Sequence, residues 1–477
     1  MSVILSVAKD EWRYWNRSKL AISIIIIAAF MTIASVIVTS ESVNEAYEVR
    51  EHLQEHADKA FVEQPDRHPH RMVHYGHYVF RTPPPLGAID PGVDAYTGTS
   101  IFLEGHRQNT AMFAEQRQSN GLTRFSNLTP AFVMQVIVPL LLILVGYGVI
   151  SRERESGTLT FIVAQGVSAR LVLLGKFFAL LLAGILVILP LVAACILAVL
   201  QGESVLAVSV FLGVHLFYII VWCSIILIIS AYSQKNSTSF VTLISLWVLL
   251  CLLIPRIASS TASAIVASPS KLEADFDVLQ ELRKLGDGHN ASDPAFTQLK
   301  KSLLVQYGVD TLEALPVNFR GVVAQASEKE LTEVLNQFAE KRMQEELMQA
   351  QIARQFGWLT PTLALRTLSM LLAGTNLETH HRFLREAENI RFEFVQGLNK
   401  VQAEILSYTD DVNRSQSQEN AQKARVDASH WQLLENFTFT PSDASLRINN
   451  SLSPLMQLLC WMVALFFMLA KTRRALQ

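Results

Sequence analysis

The sequence is short of charge. Only 17% of its 477 residues are Asp, Glu, Lys or Arg, and 40 basic against 42 acidic residues leave a formal net charge of −2. Soluble domains carry roughly 25% charged residues, so a soluble enzyme is excluded, as is a disordered tail. The near-neutral balance gives no global pull toward nucleic acid, and no nucleic-acid partner is expected. Cysteine is scarce: Cys195, Cys223, Cys251 and Cys460 all fall in apolar runs, which argues against bridges and a cysteine-based zinc site. A phosphate-cradling loop is also lacking. The nearest approach, Gly175-Lys176-Phe177, has neither the earlier glycine nor the hydroxyl that a nucleotide site needs. No cofactor is therefore expected on this chain.

Apolar residues make up 50% of the sequence and are gathered in blocks. A helix needs about 20 of them to cross a hydrocarbon core of roughly 30 Å. The expected fold is an all-α membrane protein with six transmembrane helices at residues 20–38, 131–150, 171–200, 205–230, 237–255 and 452–470. Pro190 is a candidate kink in the third. The first reads as a permanent anchor rather than a cleaved signal, because its apolar run is too long and no small-residue cleavage site closes it.

Lys and Arg in short loops set orientation. Lys9, Arg13, Arg17 and Lys19 precede the first span, Arg152, Arg154 and Arg170 follow the second, and Lys235 separates the fourth and fifth. Lys471, Arg473 and Arg474 close the chain, whereas the opposite turn, Gln201–Ser204, has no basic residue. Both termini are therefore expected in the cytoplasm, the tail being residues 471–477. Two large segments, 39–130 and 256–450, fall outside. The first begins as a charged helix from Glu41 to about Ala60 and turns irregular at Pro65, Pro69 and Pro83-Pro84-Pro85. The second is a large, mostly helical extracytoplasmic domain. Charged amphipathic runs at Ser327–Gln355 and Leu377–Leu406 flank a break at Gly357–Pro361, which predicts an antiparallel helical pair. Between them Leu363, Leu365, Leu368, Leu371 and Leu372 form an apolar stripe that must pack on something. Residues 1–19 predict an interfacial helix, with Ile4, Ala8, Trp12 and Trp15 on one face and Lys9, Asp10, Arg13 and Arg17 on the other.

No Asp or Glu lies inside the six spans; Lys176 and His215 are the ionisable residues that stand out. Ion-coupled carriers usually need intramembrane carboxylates or broken helices, so energy for transport is expected from elsewhere. Lys176 is expected to snorkel toward the cytoplasm, and His215 to bond between helices. His52-Leu53-Gln54-Glu55-His56 matches H-x-x-E-H, in which His52 and His56 would hold zinc and Glu55 would act as base. The third ligand and a catalytic domain are not evident, so an exposed helical face is preferred and no metal is expected. His68, His70, His74 and His77 could hold a metal at the surface, but the preferred reading is solvated loop histidines.

The informative stretch is residues 151–170, S-R-E-R-E-S-G-T-L-T-F-I-V-A-Q-G-V-S-A-R. Charges come first, Ser156-Gly157-Thr158 permits a sharp turn, and a short apolar patch follows. Pattern alone leaves a force-receiving surface helix and an ordinary solvated loop equally open. The run Arg152-Glu153-Arg154-Glu155-Ser156-Gly157-Thr158-Leu159, with Gly175-Lys176 beyond it, resembles the coupling segment of ABC transporter type-2 permeases. Asp90-Pro91-Gly92, Tyr96-Thr97-Gly98 and Glu104–Asn109 resemble the first external segment of one bacterial subgroup with a large external domain of unassigned function. Gln306–Val309, Leu315–Asn318, Ala373-Gly374-Thr375 and His380–Phe383 resemble its second.

The resemblance implies a non-catalytic permease subunit of an ATP-driven exporter in the bacterial inner membrane. Its motor would be a separate ABC ATPase dimer that holds the ATP and magnesium. Glu153 and Glu155 would be charged contacts to that motor, together with Arg152 and Arg154. Gly157 and Thr158 would form the hinge, and Leu159 with Phe161 the apolar plug. Six spans imply a second permease chain, identical or related, and the external domain would engage cargo or a periplasmic partner. Two alternatives stay open: a membrane-anchored metallopeptidase using His52, Glu55 and His56, and a subunit that transmits motion without a cargo path of its own.

Overall fold

A computed structural model describes residues 3–112, 128–434 and 437–472. The terminal cations Arg473 and Arg474 and residues 113–127 of the first large segment lie outside these. The chain is predominantly helical; a single antiparallel ribbon, β1 (His77–Phe80) with β2 (Ser100–Leu103), pairs His77 with Leu103 and Phe80 with Ser100 among the described residues. Six helices are long and apolar enough to cross a membrane: Leu20–Glu41, Pro130–Glu155, Ala169–Leu200, Val205–Tyr232, Asn236–Ile265 and Leu452–Thr472.

Several of these outrun the expected bounds. The first is the apolar start of one helix, Leu20–Val62, whose 43 residues extend roughly 65 Å, about twice a hydrocarbon core. Nothing after Val38 breaks helical backbone, so polarity changes while the helix continues. The fifth likewise runs on to Ile265, and the third passes unbroken through Pro190. Spans two and five each contain a π-turn, at Val133–Ile137 and Val248–Leu253. Such widened turns disturb the regular hydrogen-bond ladder, and side chains cover the carbonyls there. Tyr218 Oη donates to the Gln135 carbonyl at 2.6 Å, Trp247 Nε1 to Val136 at 2.9 Å, and the Thr360 hydroxyl to Leu250 at 2.6 Å.

The last of these bonds ties residues 256–450 back into the bundle. The Pro361–Ala373 helix lies inside the bundle, packed on spans four and six. Thr362 at its start bonds Tyr218, half-way along span four, at 2.9 Å. At its far end Arg447 binds the Leu372 carbonyl at 2.8 Å and pairs with Glu203 in the turn between spans three and four. Leu365, Leu368 and Leu372 are fully buried there. This is where the apolar stripe packs: 13 residues are too few to span, and they are covered by protein.

The other large pieces behave as expected. Phe319–Gln355 and Leu377–Glu404 lie antiparallel, joined by Arg391–Glu328, Arg385–Glu340, His381–Glu346 and Arg354–Glu378 pairs. A second apolar core (Phe61, Met72, Phe383, Phe394, Trp431) seats Pro69–Tyr75 and the ribbon against the latter helix. Two of the sequence motifs meet: Thr375 Oγ1 donates to the Asp90 carbonyl at 2.9 Å, and Val93 N–H donates to the Thr375 carbonyl at 3.0 Å.

Candidate functional site

Between spans two and three the chain forms an elbow. Ser151–Glu155 is one short helix and Thr158–Ala164 another, with Gly157 between them at φ +76°. That left-handed conformation costs a non-glycine residue roughly 1 kcal/mol or more, so the glycine is required by the turn. The Ser156 and Thr158 hydroxyls both donate to the Glu153 carbonyl, at 3.2 and 3.1 Å, and fasten the bend.

The elbow's charges are turned inward. Glu11, on the N-terminal helix Val3–Ser18 and 1% exposed, receives Arg152 through both oxygens at 3.0 and 3.1 Å and Lys176 at 2.6 Å. Lys176 also pairs with Glu153. Two carboxylates and two cations thus form a neutral quartet shared by three elements. The Arg152 guanidinium lies 3.5 Å from the centroid of the Tyr14 ring, a stacking that adds to its fixation. Lys176 therefore does not snorkel; at 2% exposure it is held by the quartet. The N-terminal helix, too, is no free interfacial helix. Trp15 is buried, and Val7 packs so closely on Gly175 that a Cβ there would lie 2.6 Å from the Val7 Cβ.

The other charges tie the elbow to spans four and five. Arg154 donates to the carbonyls of Ala231 and, at 3.0 Å, Ser233, at the C-terminal end of span four, where a cation suits the helix dipole. The Glu155 carboxylate accepts from the Asn236 N–H at 2.9 Å, at the N-terminus of span five. Ser230 and Ser239 both donate to the Tyr147 carbonyl, at 2.9 and 2.6 Å, where span two ends. Of the two apolar residues assigned to the plug, only Phe161 projects, at 71% exposure; Leu159 is 5% exposed and packs inward. Glu153 is likewise engaged within the chain. The outward surface includes Glu155, Ser156, Thr158, Thr160, Phe161 and Gln165.

On the flank of the bundle an apolar groove of about 650 Å³ runs between spans three, four and six, lined by Leu173, Phe177, Leu227, Met462 and Phe466, with Arg170 at the elbow end.

The histidines separate into different roles. His52, Glu55 and His56 are exposed on the long first helix and join no ligating cluster among the described residues. His68 and His77 are not solvated: the first bonds buried Asp411 at 3.0 Å and the second Asp58 at 2.8 Å. His70 and His74 instead meet His106 and His289. Glu11, His106 and His289 were missed by sequence reasoning, since none is near its partners in the chain. The i, i+4 spacing of His70 and His74 on a helix was the one available signal.

A family profile described as a domain of unknown function (DUF3526) matches residues 272–440. That range takes in most of the second large segment, including the inserted helix. No curated protein matches the chain.

Proposed function

We propose that this chain is the permease subunit of a bacterial ABC exporter, lying in the inner membrane with both termini cytoplasmic and driven by a separate ATPase dimer. The observation that carries the reading is the elbow: a two-helix turn with one projecting phenylalanine, bonded to the N-terminal helix and to spans three, four and five. A partner that pushes on Phe161 would move all four together, because the charges behind it leave little slack. ATP hydrolysis belongs to the partner, and a second permease chain completes the transmembrane complement. The apolar groove beside Arg170 suits an amphipathic or lipid-like cargo.

The inserted helix favours a second reading, transmission of motion without a cargo path. It fills the space between spans four, five and six and couples them to the large segment through Thr360 and Thr362.

The experiment is purification of the chain from membranes and assay of a co-purifying ATPase. Phe161→Asp is expected to abolish stimulation of that ATPase while the protein remains folded. A chain that brings down no nucleotide-binding partner, or labelling of Gln165→Cys from outside intact cells by an impermeant reagent, would overturn the reading. Stimulated ATPase with no cargo moved into inverted vesicles would favour the second reading.

A further inference from the structure

Four histidines converge where the two large segments touch. His70 and His74 lie one helical turn apart on Pro69–Tyr75. His106 follows β2 in a loop whose Gly105 N–H donates to the Val73 carbonyl at 2.9 Å. His289 comes from the turn between the Lys271–Leu282 and Thr297–Tyr307 helices. Their ligating nitrogens all lie within 4.8 Å of one another. His106 holds φ +62°, a left-handed conformation that non-glycine residues adopt only where surroundings impose it.

The rings are oriented as ligands. His106 Nδ1 bonds the Glu328 carboxylate at 2.8 Å, while its Nε2 is buried without a partner. His289 Nδ1 meets the Asp287 carboxylate at 3.3 Å, which leaves its Nε2 for the cluster. Metal-bound imidazoles commonly direct their second nitrogen to a carboxylate in this way, which fixes the tautomer and raises basicity. Glu328 is itself secured by Arg391 at 2.7 Å. His70 and His74 bring their Nε2 atoms to 3.2 Å, close to the ~3.3–3.4 Å edge of a tetrahedron with zinc–nitrogen bonds of 2.0–2.1 Å.

We propose that His70, His74, His106 and His289 form a structural binding site for a zinc-type divalent cation. An all-imidazole set of four selects a borderline transition ion over magnesium or calcium. Four protein ligands leave no open position for catalysis, so the site is structural. Its effect is to pin the arm that carries His289. The helices on either side of that turn bury no residue, and the arm's nearest apolar anchor is Phe296, which packs on Phe319 and Val323. The ion would join this arm to the first large segment, which contributes no residue to that apolar cluster.

The test uses the full chain in detergent, purified without a histidine tag, stripped with a chelator and reloaded with zinc alone. One zinc per chain is expected to survive desalting. His289→Ala and His74→Ala, both at exposed positions, should each weaken retention at least ten-fold, and His430→Ala should leave it unchanged. Zinc should slow tryptic cleavage at Arg283 and Lys284 at least ten-fold in the wild type and not in His289→Ala. Zinc retained equally in the His289 and His74 variants, zinc lost instead on His52→Ala, or no zinc retained by the wild type would each overturn the assignment.

Discussion

Two buried charge clusters hold this molecule together in different ways. At the elbow, Glu11, Arg152, Lys176 and Glu153 come from three elements, and the charges form the joint between them. Between the long antiparallel helices, Arg391 lies between Glu328 and Glu388, but that cluster is one rung of a ladder. Further rungs run outward along the same helices, and an apolar core backs the inner end. Exposure differs among the rungs, from 2% and 0% for the Arg391–Glu328 side chains to 42% for each side chain of Arg385–Glu340. A cluster that is itself the joint transmits a push, whereas a rung in a ladder chiefly keeps two helices in register.

The largest effect is therefore expected at Glu11. Glu11→Ala removes the carboxylate that buried Lys176 and half-buried Arg152 share, and breaking a buried pair costs about 3–5 kcal/mol. Unfolding titrated with detergent should show that loss. Stability within 1 kcal/mol of wild type would remove the distinction between joint and rung. Along the ladder, Arg391→Ala should cost about 3 kcal/mol and Arg385→Ala about 0.2–1 kcal/mol, measured by the same titration. Equal costs would mean that exposure does not grade the rungs.

The ladder region should also respond to pH. Burial, then the Arg81 guanidinium and His381, push His380 down to about 3 from its ordinary 6.5. The folded chain then binds fewer protons than the unfolded one below pH 6.5. Its stability is complete above that value and declines as pH falls toward 3, by at most about 1.4 kcal/mol per pH unit for this group. Burial would raise Glu378, but the Arg354 pair holds it down to about 2 from 4.5. Its contribution has the same sign and is lost only below pH 4.5. Melting at pH 7, 5.5 and 4.5 should fall progressively, with a shallower slope in His380→Asn; identical slopes would remove His380 as a source.

How much could be read before folding varies by element. The six spans were legible because a hydrocarbon core demands about 20 apolar residues in one run, and no other part of the chain supplies them. The elbow was legible because Gly157 divides a charged run from a short apolar patch directly between two such stretches. The Pro361–Ala373 helix was not. Its apolar stripe was visible, but 13 residues suit a soluble core as well as a bundle, and only the bonds from Thr360 and Thr362 to spans five and four distinguish them. Leu159 and Phe161 looked alike as apolar residues two apart. On a helix two residues apart face different ways, and packing decided which one stays outside.

What the order of residues determined by itself is local: which runs are apolar enough to span, where backbone must turn, and on which end basic residues collect. These follow from the chemistry of near neighbours. Which charges neutralise one another was decided only by the tertiary fold. Glu11 finds Lys176 and His289 finds His106 across more than a hundred residues, because helix packing brings their backbones together. Burial then makes an unpaired charge or a bare imidazole nitrogen costly enough to select its partner.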